Sequence, residues 1–119
     1  MKLPLGEPES AALRAELDRW EGYVSSALIR VEAVRACARY GRRYAEAARA
    51  ALQAIALLPL DEQVLEHASV LQPLDLRSLD AIHLASALSV AEDLGVVLSY
   101  DERLCRAARE SGLRVESPR

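Results

Sequence analysis

Short runs of adjacent apolar residues alternate along this chain with stretches where apolar positions recur every three or four residues. Strands and helices are therefore expected to take turns. Pro8 opens a helix through Trp20, with Glu7, Glu9 and Ser10 suited to its positive end. Gly22 breaks it, and Tyr23-Val24-Ser25 is a short β-like piece. Ser25 or Ser26 can cap a second helix running to about Tyr40, where Gly41 ends it, and a third spans Arg42 to about Ala54. The run from Ile55 to Leu60 reads as a buried or edge strand with Pro59 at its end. Asp61 caps a fourth helix reaching Leu71, which Gln72-Pro73 stops. Leu74 to Arg77 is a loop, and Ser78 can cap a long helix to Leu94, ended by Gly95. Val96-Val97-Leu98-Ser99 is the clearest strand, Asp101 caps a last helix to about Ser111, Gly112 turns, and Leu113 to Glu116 forms a final short strand.

Such alternation points to an α/β sandwich with a mostly parallel sheet, whose working site lies at the carboxyl ends of the strands. There the segments after strands carry Ser25 and Ser26, then Asp61, then Tyr100 and Asp101. The 119 residues fit a single domain with one modest core, and no repeat or linker divides them. Apolar residues make up 51 % but aromatics only 4 %, so the core is built from Leu, Val, Ile and Ala, which favours closely packed helices. With 15 Lys and Arg against 18 Asp and Glu, the net charge of −3 excludes a strongly basic, non-specific nucleic-acid binder. It leaves room for local contact through a metal and a few arginines. Cys37 and Cys105, without a C-x-x-C motif or a nearby His, fit buried thiols in a reducing compartment. With no signal peptide and no apolar run of membrane-spanning length, the expected location is the cytoplasm.

The candidate chemistry is acidic. At about 100° per residue, Asp80 shares a helical stripe with Leu84, Ala87 and Ala91, which puts a carboxylate on the buried side of an apolar helix. An ionised carboxylate there is costly unless a cation or several donors meet it. Asp80 is thus either a local helix cap or one ligand of a metal. Glu32 lies at the edge of the apolar side made by Ile29, Ala33, Ala36, Cys37 and Tyr40, on a stripe with Arg35 and Arg39; an exposed i,i+3 ion pair is its plainer role. Asp101 follows a strand and precedes a helix, where an Asp cap is ordinary. His83 reads as a satisfied core histidine, with no second His at metal spacing.

Three segments in order carry a resemblance. Val24-Ser25-Ser26-Ala27-Leu28 followed by Glu32, then Leu76-Arg77-Ser78-Leu79-Asp80-Ala81-Ile82-His83-Leu84-Ala85, then Leu98-Ser99-Tyr100-Asp101-Glu102-Arg103-Leu104 resemble the acidic motifs of VapC-type PIN-domain toxins. The segment from Lys2 to Ser10 resembles the tail of that family's first motif running into its first helix. The likeness implies a three-layer α/β/α sandwich with a central, mostly parallel sheet, residues 1–119 forming one PIN-like domain. It implies a Mg²⁺- or Mn²⁺-dependent endoribonuclease, neutralised by a cognate antitoxin and forming a homodimer. Carried over, Glu32, Asp80 and Asp101 are metal-site and catalytic carboxylates, with Asp80 the most direct ligand and Asp101 the more variable one. Ser26 is a polar neighbour of the site. Arg35 and Arg39, near Glu32, are the best candidates to face substrate phosphate, the other arginines of this stretch reading as a solvated helix face. Aromatics are too few for a stacking pattern, so RNA recognition leans on shape and backbone.

The family's first strand and the Asp it carries are expected to be missing, since the matching segment begins at Lys2. Either Met1 is a misassigned start of a longer protein, the reading adopted, or the chain is an impaired toxin that retains antitoxin binding or dimerisation. Translation upstream in frame separates the two. A generic Ala-rich helical protein with ordinary caps does not account for three motifs in order.

Overall fold

Parallel pairing governs both sheets of this protein. The computed structural model describes residues 8–20 and 22–118, and the element order is α1 (Pro8–Leu17), β1 (Tyr23–Ser26), α2 (Ile29–Ala38), α3 (Arg42–Leu52), β2 (Ile55–Leu58), α4 (Glu62–Val70), α5 (Ser78–Ser89), β3 (Val97–Leu98), α6 (Glu102–Glu110) and β4 (Val115–Glu116). The chain forms two compact units, the second running from Pro59 to Ser117. The segment from Lys2 to Glu7, which resembles the tail of the first acidic motif, lies outside the described residues. Among the described residues no helix is long and apolar enough to cross a membrane.

In the first unit, β1 and β2 pair in parallel, with Tyr23 opposite Ile55 and Ser26 opposite Leu58. Ala27 N–H prolongs the ladder onto the Leu58 carbonyl at 2.9 Å. Parallel strands need a long crossover, and α2 and α3 supply it. Ile29, Ala33 and Leu52 bury themselves there with Val34, Ile55 and Leu57 packed against them. Gly41 joins the two helices at φ +133 and ψ 164, a backbone region open essentially to glycine alone. The preceding helix is shorter than expected, ending at Leu17; Arg19 and Trp20 continue it only as turns, bonded to the carbonyls of Glu16 and Leu17. Neither Ser25 nor Ser26 caps α2. Both are spent in the ladder, the helix begins after Leu28, and Ser26 Oγ accepts from Leu28 N–H at 3.3 Å on the way in.

In the second unit, β3 and β4 pair in parallel, Val97 opposite Val115 and Leu98 opposite Glu116. Leu76, Ala81, Leu84, Cys105, Ala107, Ala108 and Val115 form its core, flanked by Leu71, Leu88, Val97, Leu104 and Leu113. The small alanines let α5 and α6 lie close, and Ala108 is 0 % exposed. Asp61 caps α4 as expected, Oδ1 accepting from Val64 N–H at 2.9 Å. Ser78, by contrast, is the first residue of α5; Arg77 holds the cap position with extended backbone and no side-chain cap bond. That helix also stops at Ser89 instead of Leu94, the next residues tightening to a 3₁₀ turn over Ala91–Asp93. Glu92 and Asp93 would put two negative charges at the negative helix end, which disfavours further α-helix there. After α6, Leu113 N–H bonds the Ala108 carbonyl and Gly112 N–H that of Arg109, both at 3.0 Å, with Gly112 at φ +90. This is a Schellman ending, and it turns the chain back into β4 beside β3. Cys37 and Cys105 are buried free thiols, as the sequence suggests.

Candidate functional site

The turn from β3 into α6 and the first turn of α5 meet at one guanidinium. Asp80 is the third residue of α5 and not its cap, so the local-cap role is excluded by position. Its Oδ2 accepts from Arg77 Nε at 3.0 Å. Asp101 does cap α6: Oδ1 accepts from Leu104 N–H at 3.0 Å. Its other oxygen, Oδ2, accepts from Arg77 Nη2 at 2.7 Å, across 24 residues of sequence. The cation that a carboxylate on the inward stripe requires is therefore Arg77. Asp80 lies on the stripe it shares with buried Leu84 and is itself only partly covered, its side chain 15 % exposed, while Asp101 is 34 % and Arg77 66 % exposed.

The approach to Asp101 is fixed from behind. Ser99 Oγ accepts from Asp101 N–H at 3.1 Å, and the Ser99 carbonyl accepts from Ser117 Oγ at 2.5 Å and from Cys105 Sγ at 3.4 Å. These bonds tie the end of β3 to both α6 and the segment after β4, so the Asp101 backbone has little freedom. The two acids raise the Arg77 guanidinium further above its ordinary value, the hydrogen bond that Arg77 donates to Asp80 contributing most, then the charge of Asp80 and that of Asp101. Because Arg77 is mostly solvated, such pairs add little to stability. The arrangement is more telling as chemistry: two hard oxygen donors already share one positive group.

The remaining candidates sit in the first unit. Glu32 is half-buried in the first turn of α2. Arg35, in the last turn of that helix, and Arg39, its C-cap residue, are exposed. Ser26 is buried at the end of β1. Among the described residues no three His, Cys, Asp or Glu side chains form a cluster able to hold a metal; the acids brought together are Asp80 and Asp101. Donor chemistry nonetheless fits a divalent ion that takes oxygen ligands and keeps several waters, for which two carboxylates plus substrate phosphate suffice. The residue that sequence reasoning missed is Arg77. Its signal was present: it is the only Lys or Arg between Arg49 and Arg103, a stretch that holds nine Asp and Glu.

Comparison with known proteins adds the following. A family model described as PIN domain matches residues 2–110. The chain is 45 % identical over 118 residues to Ribonuclease VapC46 of Mycobacterium tuberculosis (strain ATCC 25618 / H37Rv), covering 99 % of this chain and 91 % of that protein. It is 42 % identical over 122 residues to Ribonuclease VapC47 of Mycobacterium tuberculosis (strain CDC 1551 / Oshkosh), covering 98 % and 90 %. Ribonuclease VapC35 of the same species is 34 % identical over 125 residues, covering 99 % and 90 %. No solved structure gives a significant match.

Proposed function

The chain belongs to the PIN-domain family, and from that premise we propose that it is a metal-dependent endoribonuclease, the toxin of a toxin–antitoxin pair. The observation that carries this reading is the convergence of Asp80 and Asp101 on a single cationic group, at 3.0 and 2.7 Å. The relatives, all named ribonucleases, favour an enzyme over the non-catalytic binding module. The family match runs through both units, which supports treating residues 1–119 as one PIN-like domain.

In this proposal Asp80 and Asp101 hold Mg²⁺ or Mn²⁺, and Glu32 is a further acid that cleavage requires. When bound, the ion supplies an activated water and offsets charge on the scissile phosphate. Asp80 contributes the inner oxygen, since it is the less exposed acid and α5 directs it along the buried stripe. Asp101 divides its work: one oxygen secures α6 and the other faces the cation. Arg35 and Arg39 grip the RNA backbone in forked contacts suited to phosphate, and Ser26 is proposed as a substrate-binding hydroxyl. The partners are an RNA substrate, a cognate antitoxin protein and a second copy of the chain, all in the cytoplasm.

The test is Mn²⁺ titration together with RNA cleavage. The chain is expected to bind Mn²⁺ and to cut RNA only with a divalent ion present. Asp80→Asn is expected to abolish both; retention of cleavage by a folded Asp80→Asn protein overturns the assignment.

A further inference from the structure

We propose that Arg77 is an internal counter-ion which a divalent cation must displace, so that it sets the cation concentration at which the acid pair fills. This rests on the metal-site reading above and adds a residue to it. Both oxygens of Asp101 are engaged, Oδ1 by Leu104 N–H at 3.0 Å and Oδ2 by Arg77 Nη2 at 2.7 Å. The start of α6 depends on the first of these bonds, so a cation reaches Asp101 through Oδ2, the oxygen Arg77 covers. At Asp80 the guanidinium again holds Oδ2. A divalent ion placed there with Arg77 still bound would set three positive charges against two carboxylates at hydrogen-bond range. Exchange relieves that repulsion.

Arg77 is built to leave. Its side chain is 66 % exposed, so the guanidinium passes into water with little loss of packing, while the less exposed acids stay where α5 and the β3–α6 turn hold them. Loss of a proton cannot clear the site, because a guanidinium remains charged at every ordinary pH. The segment around it holds no second Lys or Arg to take its place.

The experiment titrates Mn²⁺ alone into the full chain by calorimetry, with electron paramagnetic resonance counting bound ion. Circular dichroism reports the fold of each variant. Arg77→Met, which keeps the stem and removes the charge, is expected to bind Mn²⁺ about fivefold more tightly than the unmodified chain, the scale of two exposed ion pairs lost. The gain is expected to shrink to about twofold when Arg77→Met is made in an Asp101→Asn background, where only the pair with Asp80 is left to lose. Arg77→Lys, which keeps the charge but cannot fork two acids, is expected to bind about twofold more tightly, and it carries the test if Arg77→Met does not fold. Equal or weaker binding by a folded Arg77 variant overturns the counter-ion role while the metal reading stands. Failure of both the unmodified chain and the variants to bind Mn²⁺ overturns the two together.

Discussion

Asp61 and Asp101 hold the same local position in two parts of the molecule. Each follows a strand, adopts extended backbone, and accepts with Oδ1 from the N–H three residues on, at 2.9 Å for Val64 and 3.0 Å for Leu104. Up to that oxygen the two are interchangeable. They part at Oδ2, which at Asp101 receives Arg77 and so joins Asp80. Capping alone therefore says nothing about chemistry; the second carboxylate oxygen does. The helices also end differently. α4 runs into extended Leu71, whereas α6 closes with Gly112 and returns its chain to the sheet that carries Asp101.

The comparison breaks most visibly at the charge. Asn caps a helix about as well as Asp, so Asp101→Asn should unfold at nearly the same urea concentration as the parent. RNA cleavage by that variant should fall about a hundredfold or more, the usual scale for a lost charge-stabilising group; undiminished cleavage would make Asp101 a cap and nothing else. Next in size is the helix ending. Gly112→Ala places a side chain at φ +90 and should cost about 1–2 kcal/mol in urea unfolding, a loss with no counterpart at Leu71. Third, Asp61→Ala removes a cap whose side chain makes no further bond among the described residues and should cost about 1 kcal/mol while leaving Mn²⁺ binding unaltered. Smallest is Asp61→Asn, expected to stay within about 0.5 kcal/mol of the parent in stability and to leave cleavage unchanged. A strong effect of Asp61→Asn on cleavage would remove the distinction between the two junctions.

What could be read from residues alone follows from how local each feature is. Both Asp caps, the Gly41 and Gly112 turns and the positions of the four strands depend on neighbours within a few residues, and all lie where the pattern puts them. Ser25, Ser26 and Ser78 mislead because a serine beside a helix start is equally at home in a strand end or a first turn. The apolar spacing continues past Ser89 and so predicts a longer α5, while the charges of Glu92 and Asp93 at a helix end weigh against it. Within the candidate site, the inward bias of Asp80 was legible from helical spacing. Its partner was not, since Arg77 reaches Asp101 across 24 residues and no periodicity encodes that.

One further consequence follows from the inner face of α6. Ala107 and Ala108 are 2 % and 0 % exposed, so that face lies flush with its surroundings and has no slack for another methyl group. A larger side chain at either position would have to be accommodated by movement of α6, the helix that Asp101 caps. Tolerance for change in this segment is thus narrow at two residues well along the helix from the acid at its head.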